Sequence, residues 1–475
     1  MSCTDLDVPI KSEITGENFP STEEDFVAVA STVYSSLTTD RFSYYWLSQC
    51  LTTDEMIITA NGGNWYDAGR WQQPHLHTYN PDNRVVAYTW EYGFTIISTA
   101  NRVLSLLESS PESEQKRYSL AEIRSIRALA LYWMMDTYGD IPLVTNFGDK
   151  AGKRTPRKEV FEFIETELKA AIPDLNTRVD GSTYGRPTKW MALGLLAKLY
   201  LNAEVYTGAP RWNDVIAACD EIIQEATTHG TFALDADYLK IFDVDNGPHI
   251  KDIIYAIPFH RTRIPYQYFA RWWLHPLHRD KFELPYTPSG SARTLPEYYA
   301  KFNDPNDQRN KIWLTGKQYA DNGSPILIET TKRGYDIGYS GPDASDIISV
   351  HLELTPEIKF RDIDKFDTGD DLKGRSVGYR CNKFFPDKQS LTRDQDNDFP
   401  VLRYADVLLM KAEAILRGGT PTGGQTALSL VNQVRQRAQA APFSAINLGE
   451  LLDERAREFT NEFWRRNDLI RFGRF

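Results

Sequence analysis

The sequence predicts a mainly α-helical protein: successive helix pairs build a scaffold, and an irregular, loop-rich lobe with short strands is inserted in it. Three observations carry this. In segments 22–227 and 400–475, apolar residues recur at three- and four-residue spacing behind residues that cap helices. These segments follow one another through short loops with repeated Ala/Leu/Tyr patterns. That is the look of tetratricopeptide-like hairpins, although no strict repeat of about 34 residues is present. Between them, residues 228–399 are punctuated by Gly, Pro, Asp and Asn and carry only short β-prone runs such as Ile253–Ile257 and 347–352. Trp, Tyr and Phe stay abundant there, so the lobe is not of disordered composition.

In chain order, residues 3–21 are polar, contain Pro9 and Pro20, and read as an extended tether. A helix is expected from 22 to 51, with Phe26, Ala30, Val33, Tyr34 and Leu37 on its apolar face. Residues 54–83 break the period with Gly62, Gly63, Gly69, Pro74 and Pro81, and a helix resumes near Val85 and runs past Leu107. The segment 119–142 follows. Ser119 with Glu122 reads as a capping box, and Ile123, Ile126, Ala130, Trp133, Met134 and Thr137 form the stripe. Gly139 stands where a left-handed residue ends a helix, and Pro142 prevents its restart. Arg124 and Arg127, one turn apart, are either a solvated face or partners for carboxylates of a neighbouring helix.

Thr155 and Pro156 read as N-cap and first helical residue of the next helix, whose stripe is Val160, Ile164, Leu168 and Ala171. Arg186-Pro187-Thr188 opens another, through Leu201, in which Ala192, Gly194 and Ala197 let a neighbour approach closely. A further helix is expected over 212–225. After the lobe, helices return at Pro400 and end at Gly418-Gly419, then run over 427–439 and 448–466. The helices of the two ends are expected to close one bundle around a single domain, 1–475.

Bulk properties exclude several functions. A net charge of −11 without basic clusters argues against nucleic acid and against adhesion to an anionic membrane. No run of apolar residues is long enough to span a bilayer as a helix. Cys3, Cys50, Cys219 and Cys381 show no zinc-ligand spacing, and Cys219 reads as a core residue. Cys3 follows only Met-Ser, which suits an ordinary N-terminus or a lipidated Cys whose leader has been replaced.

Catalytic motifs of the Ser/His/Asp, HExxH, P-loop and dinucleotide types are missing. Glu454, Glu458 and Glu462 form a helical row that nearby arginines can neutralise, which favours a tie between helices over a catalytic pair. His75 with His77, and His275 with His278, lack a second cluster that would complete a metal site. No cofactor is expected, although the Asp-rich loops 243–246 and 394–398 offer oxygen ligands of the kind Ca²⁺ takes.

The sharper signal is aromatic. Trp65, Tyr66 and Trp71 sit among Gly, Asn, Asp and Gln, and Tyr266, Tyr268, Trp272 and Trp273 form a second cluster in the lobe. A sugar ring offers a C–H face that stacks on indole or phenol, while its hydroxyls need polar partners. Trp65, Trp71, Trp272 and Trp273 are therefore candidates for stacking, Asn61 and Asn64 for orienting a sugar, and Tyr66 and Tyr268 for secondary contacts.

Four stretches carry a family resemblance. R-S-I-R-A-L-A-L-Y-W-M-M-D-T-Y-G-D-I-P-L-V (124–144) resembles the segment by which SusD/RagB-type proteins are known. G-R-P-T-K-W-M-A-L-G-L-L-A-K-L-Y-L (185–201), F-P-V-L-R-Y-A-D-V-L-L-M-K-A-E-A (399–414) and L-L-D-E-R-A-R-E-F-T-N-E-F-W-R-R-N-D-L-I-R-F-G (451–473) are similar to three more of its helices, in the same order. The resemblance implies an outer-membrane lipoprotein facing outward and anchored through Cys3. It also implies capture of a glycan on an aromatic arc without cleavage, and delivery to a SusC-like TonB-dependent transporter. Family members generally continue for several dozen residues past the place where this sequence stops, Phe475. Two other readings stay open at this level: a glycoside hydrolase with an unidentified carboxylate pair, and a cytosolic helical-repeat scaffold.

Overall fold

The computed structural model describes residues 19–331, 348–369 and 373–475, so Cys3, the expected lipidation site, lies outside the described residues. The first helices are α1 (Glu23–Leu37), α2 (Arg41–Leu51), α3 (Gln72–Leu76), α4 (Arg84–Ser109), α5 (Glu114–Tyr138), α6 (Arg157–Ala171), α7 (Lys189–Leu201), α8 (Ala203–Thr207) and α9 (Trp212–His229). The lobe adds α10 (Phe269–Trp273), α11 (His278–Lys281) and α12 (Pro296–Tyr299). The chain then closes with α13 (Tyr404–Leu416), α14 (Ala427–Arg437), α15 (Leu448–Phe459) and α16 (Arg465–Arg471). Neighbours stack in sequence, α4 on α5, α5 on α6, α7 on α9, α9 on α13 and α13 on α14, while α16 returns to α2.

Glycines mark the close approaches in this stack. A Cβ built on Gly93 of α4 would run into the Met134 side chain of α5, and one on Gly194 of α7 would meet Leu402 at 3.2 Å. Gly139 ends α5 at φ +81°, donating its N–H to Met135 O.

Several boundaries differ from expectation. The stretch 22–51 is two helices, parted at Thr38 and Asp40. Helix α5 starts at Glu114, capped by Ser113, so Ser119 and Glu122 lie inside it. Glu122 instead holds Arg186 at 2.9 Å and Tyr34 at 2.8 Å. Pro156 occupies the cap position of α6. Residues from Pro400 to Arg403 are strand, because they pair antiparallel with Ile253–Ile257 and so join the lobe to the scaffold. The stretch 448–466 breaks after Phe459, where Asn461 and Phe463 take left-handed backbone.

Both arginines of the 119–142 segment find carboxylates on neighbouring helices: Arg124 meets Glu108, and buried Arg127 meets Glu167 at 3.0 Å. The carboxylate row is likewise an internal tie. Arg403 bonds Asp252, Glu458 and Glu462 at 2.7–2.8 Å, Arg309 reaches Glu454 and Glu458, and Lys383 reaches Glu462 at 2.6 Å. Burial opposes the charge on Glu454, but Arg309, Arg457 and Arg435 outweigh it and hold the carboxyl down at about 2. This knot fastens lobe and strand to α15. A continuous apolar core runs through both ends of the chain. The lobe has a smaller core of its own around Leu274, Leu284, Ile328 and Leu352.

Candidate functional site

The loop after the strand Ile57–Ile58 turns at Asn61 to Asn64, whose backbones bond each other across Gly62 and Gly63, both at positive φ. The Asp367 carboxylate accepts the N–H groups of both glycines, at 2.7 and 2.9 Å. Beyond the turn, Trp65, Asp67 and Ala68 all take left-handed backbone, which non-glycine residues avoid unless the surroundings impose it. Here Gln72 imposes it by donating to Trp65 O and Ile58 O, while Asn83 donates to Arg70 O. Trp65 is thereby held half-exposed on a fixed loop.

Its ring opens a continuous aromatic run. Trp65 meets Trp272 edge-on at 5.0 Å and Trp71 at 5.8 Å, and Trp71 and Trp272 meet at 5.2 Å. Tyr44 of α2 lies parallel to Trp71, and Tyr88 of α4 meets Tyr44 edge-on at 4.8 Å. Arg41 lies 3.6 Å over the Tyr88 ring. The Tyr268 hydroxyl shares a 3.1 Å hydrogen bond with Ser43, and burial raises its phenol. Trp65, Tyr44, Tyr88 and Tyr268 are partly exposed, as is Tyr66 next to Trp65 in the chain.

The structure corrects three of the four expected stacking residues. Trp273 is fully buried, wedged against Trp313 in the large core that the lobe shares with the helices. Trp71 and Trp272 are 3% and 5% exposed and serve as backing for Trp65 rather than as faces. Asn61 is buried too, and its side-chain oxygen accepts from Arg293 and Thr368, so it shapes the turn. Asn64 is exposed beside Trp65. A cavity of about 490 Å³ lies elsewhere, between Thr177, Tyr184, Glu225 and Tyr255, and holds none of the expected rings. An extended polymer is gripped by a row of faces as well as by a hole, so the ring run remains the site of choice.

No carboxyl poised as a general acid stands on the platform among the described residues. Glu55 and Asp398 are raised to about 7 by burial, but both lie in the interior. Asp396 and Asp398 already accept from Arg261 and the Phe259 N–H, and His75 and His77 bond backbone carbonyls.

A family profile described as "SusD family" matches residues 296–475, and another, "Starch-binding associating with outer membrane", matches residues 34–201. The chain belongs to the SusD family. Among curated SusD relatives, the starch-binding protein SusD of Bacteroides thetaiotaomicron is 26% identical over 80% of this chain and 68% of its own. SusD-like protein P2 of Formosa agariphila is 23% identical over 99% of this chain and 88% of its own. Among solved SusD-like folds, a laminarin-binding SusD-like protein superposes with TM-score 0.72 at 20% identity, covering 96% of this chain and 92% of that one. Surface glycan-binding protein A from Bacteroides thetaiotaomicron gives 0.70 at 18%, covering 95% and 90%.

Within this SusD-type frame, sequence reasoning missed Tyr44, Tyr88, Asp367, Arg41, Arg84 and Arg271. Tyr44 and Tyr88 sit in periodic helices and so read as core. The available signal was Arg41 three residues before Tyr44 and Arg84 four before Tyr88, which place a cation and a ring on one helical face.

Proposed function

We propose that the protein captures a polysaccharide or oligosaccharide at the cell surface, without making or breaking a bond, and passes it to a SusC-like TonB-dependent outer-membrane transporter. The observation that carries this is the row of partly exposed rings that runs from Trp65, on a loop pinned by Asp367, Gln72 and Asn83, to Tyr44 and Tyr88 on two helices. Rings held in place beforehand lose little freedom on binding, so stacking energy goes into affinity. The names of relatives that bind starch and laminarin support the same ligand class. Outward-facing attachment at the outer membrane through a lipid on Cys3 belongs to this proposal, supported by the family description of outer-membrane association. Among the described residues, no helix is long and apolar enough to cross a membrane.

Affinity electrophoresis through gels containing a panel of polysaccharides tests the core of it. Retardation by at least one polymer, with no reducing ends released on incubation, is the expected result. Free migration through every gel, or release of reducing ends from a retained polymer, overturns it.

A further inference from the structure

We propose that the glycan taken by this platform is anionic, bearing uronate carboxylates or sulfate esters that meet Arg271; this rests on the capture reading above. Four guanidinium groups, Arg41, Arg70, Arg84 and Arg271, border the aromatic run, and Arg393 lies near Arg271. Arg41 is answered by Asp40 and Glu91 at 3.0 and 3.2 Å, and Arg70 by Asp67 at 3.7 Å. Arg84, Arg271 and Arg393 form no ion pair with a described carboxylate.

Arg271 is the telling one. Its guanidinium carbon lies 5.4 Å from the Trp272 ring and 5.5 Å from that of Tyr268, so it borders the platform directly. Its Nε donates to Ser289 at 3.1 Å, and among the described residues no hydrogen bond engages its two terminal nitrogens. It is half-buried, and burial together with the neighbouring Arg393 works against its charge. Asp394 is near enough to favour the Arg271 charge, but its two oxygens accept from the Tyr266 N–H at 2.7 Å and the Thr392 hydroxyl at 3.0 Å, and it forms no ion pair with the guanidinium.

A neutral sugar gives a guanidinium only hydroxyl acceptors. A carboxylate or sulfate accepts two parallel N–H bonds and brings an opposite charge into direct contact with Arg271. The overall charge of −11 does not forbid this, because at physiological salt the field of distant acidic groups fades within about 8 Å and the local sign decides.

The test measures dissociation constants and gel retardation for laminarin as neutral polymer, polygalacturonate as carboxylate and iota-carrageenan as sulfate ester. Tight binding is expected to one of the acidic polymers, which identifies the anion, and to weaken when NaCl rises from about 50 to about 300 mM. Arg271→Ala should weaken it about tenfold or more, and Arg271→Lys less, with the melting temperature of both variants kept as a control. Preference for laminarin, or binding unchanged in Arg271→Ala, overturns the anionic ligand while leaving capture intact. Loss of all three polymers, together with the wider panel, defeats capture and this inference with it.

Discussion

Trp65→Ala separates a binding face from a core residue. Trp65 is half-buried, so a sugar stacked on its open side covers about 60 Å² of the indole. At about 25 cal/mol per Å² this amounts to about 1.5 kcal/mol, or roughly tenfold in Kd. Stability should change little, since Trp65 is half-exposed and its backing rings Trp71 and Trp272 stay packed on each other. Trp273→Ala should behave in the opposite way. That indole is fully buried, so its removal leaves a cavity at a cost of about 3–5 kcal/mol, while affinity of the folded fraction is retained. Calorimetric titration with the oligosaccharide of the retained polymer, alongside thermal unfolding of the same samples, reads both quantities. If Trp65→Ala binds like the parent, or if it loses stability as Trp273→Ala does, the division between face and backing is wrong.

Three further outcomes concern the frame. Arg403→Met leaves Asp252, Glu458 and Glu462 without their shared cation and should cost about 3–5 kcal/mol, seen as a lower urea midpoint; a midpoint equal to the parent's refutes the tie. Gly93→Ala puts a methyl group into Met134 and should cost about 1–3 kcal/mol through overpacking between α4 and α5, whereas an unchanged melting temperature would mean the helices yield freely. Burial raises the Glu55 carboxyl from 4.5 to about 7, so the native state keeps a proton that the unfolded chain releases. Its stabilisation is complete below about pH 4.5 and is lost as pH climbs through 7, a change of about 3 kcal/mol. Glu55→Gln should therefore gain on the parent by that amount between pH 5 and 8, and a gap independent of pH contradicts the shift.

The scaffold was legible because helices announce themselves locally. The stripe from Ile123 to Met134 and the left-handed Gly139 need nothing outside their own segment to be recognised. Boundaries set by distant partners were not. Pro400 to Arg403 is strand only because Ile253–Ile257 lies beside it, and Ser119 with Glu122 mimics a cap although Glu122 serves Arg186 and Tyr34. The site was half legible for the same reason. Rings in irregular sequence looked available, and Trp65 is. Trp273, however, is taken up by Trp313, a contact that exists only after the lobe folds. Tyr44 and Tyr88 were hidden inside periodic helices whose outer faces turn toward the loop.

A crystal structure of the protein bound to the oligosaccharide it retains addresses the central claim most directly. The account predicts a sugar ring lying flat against Trp65, with neighbouring units along Tyr44 and Tyr88 and Trp273 still enclosed. Sugar density seated in the cavity between Tyr184 and Tyr255, with Trp65 left bare, would contradict it.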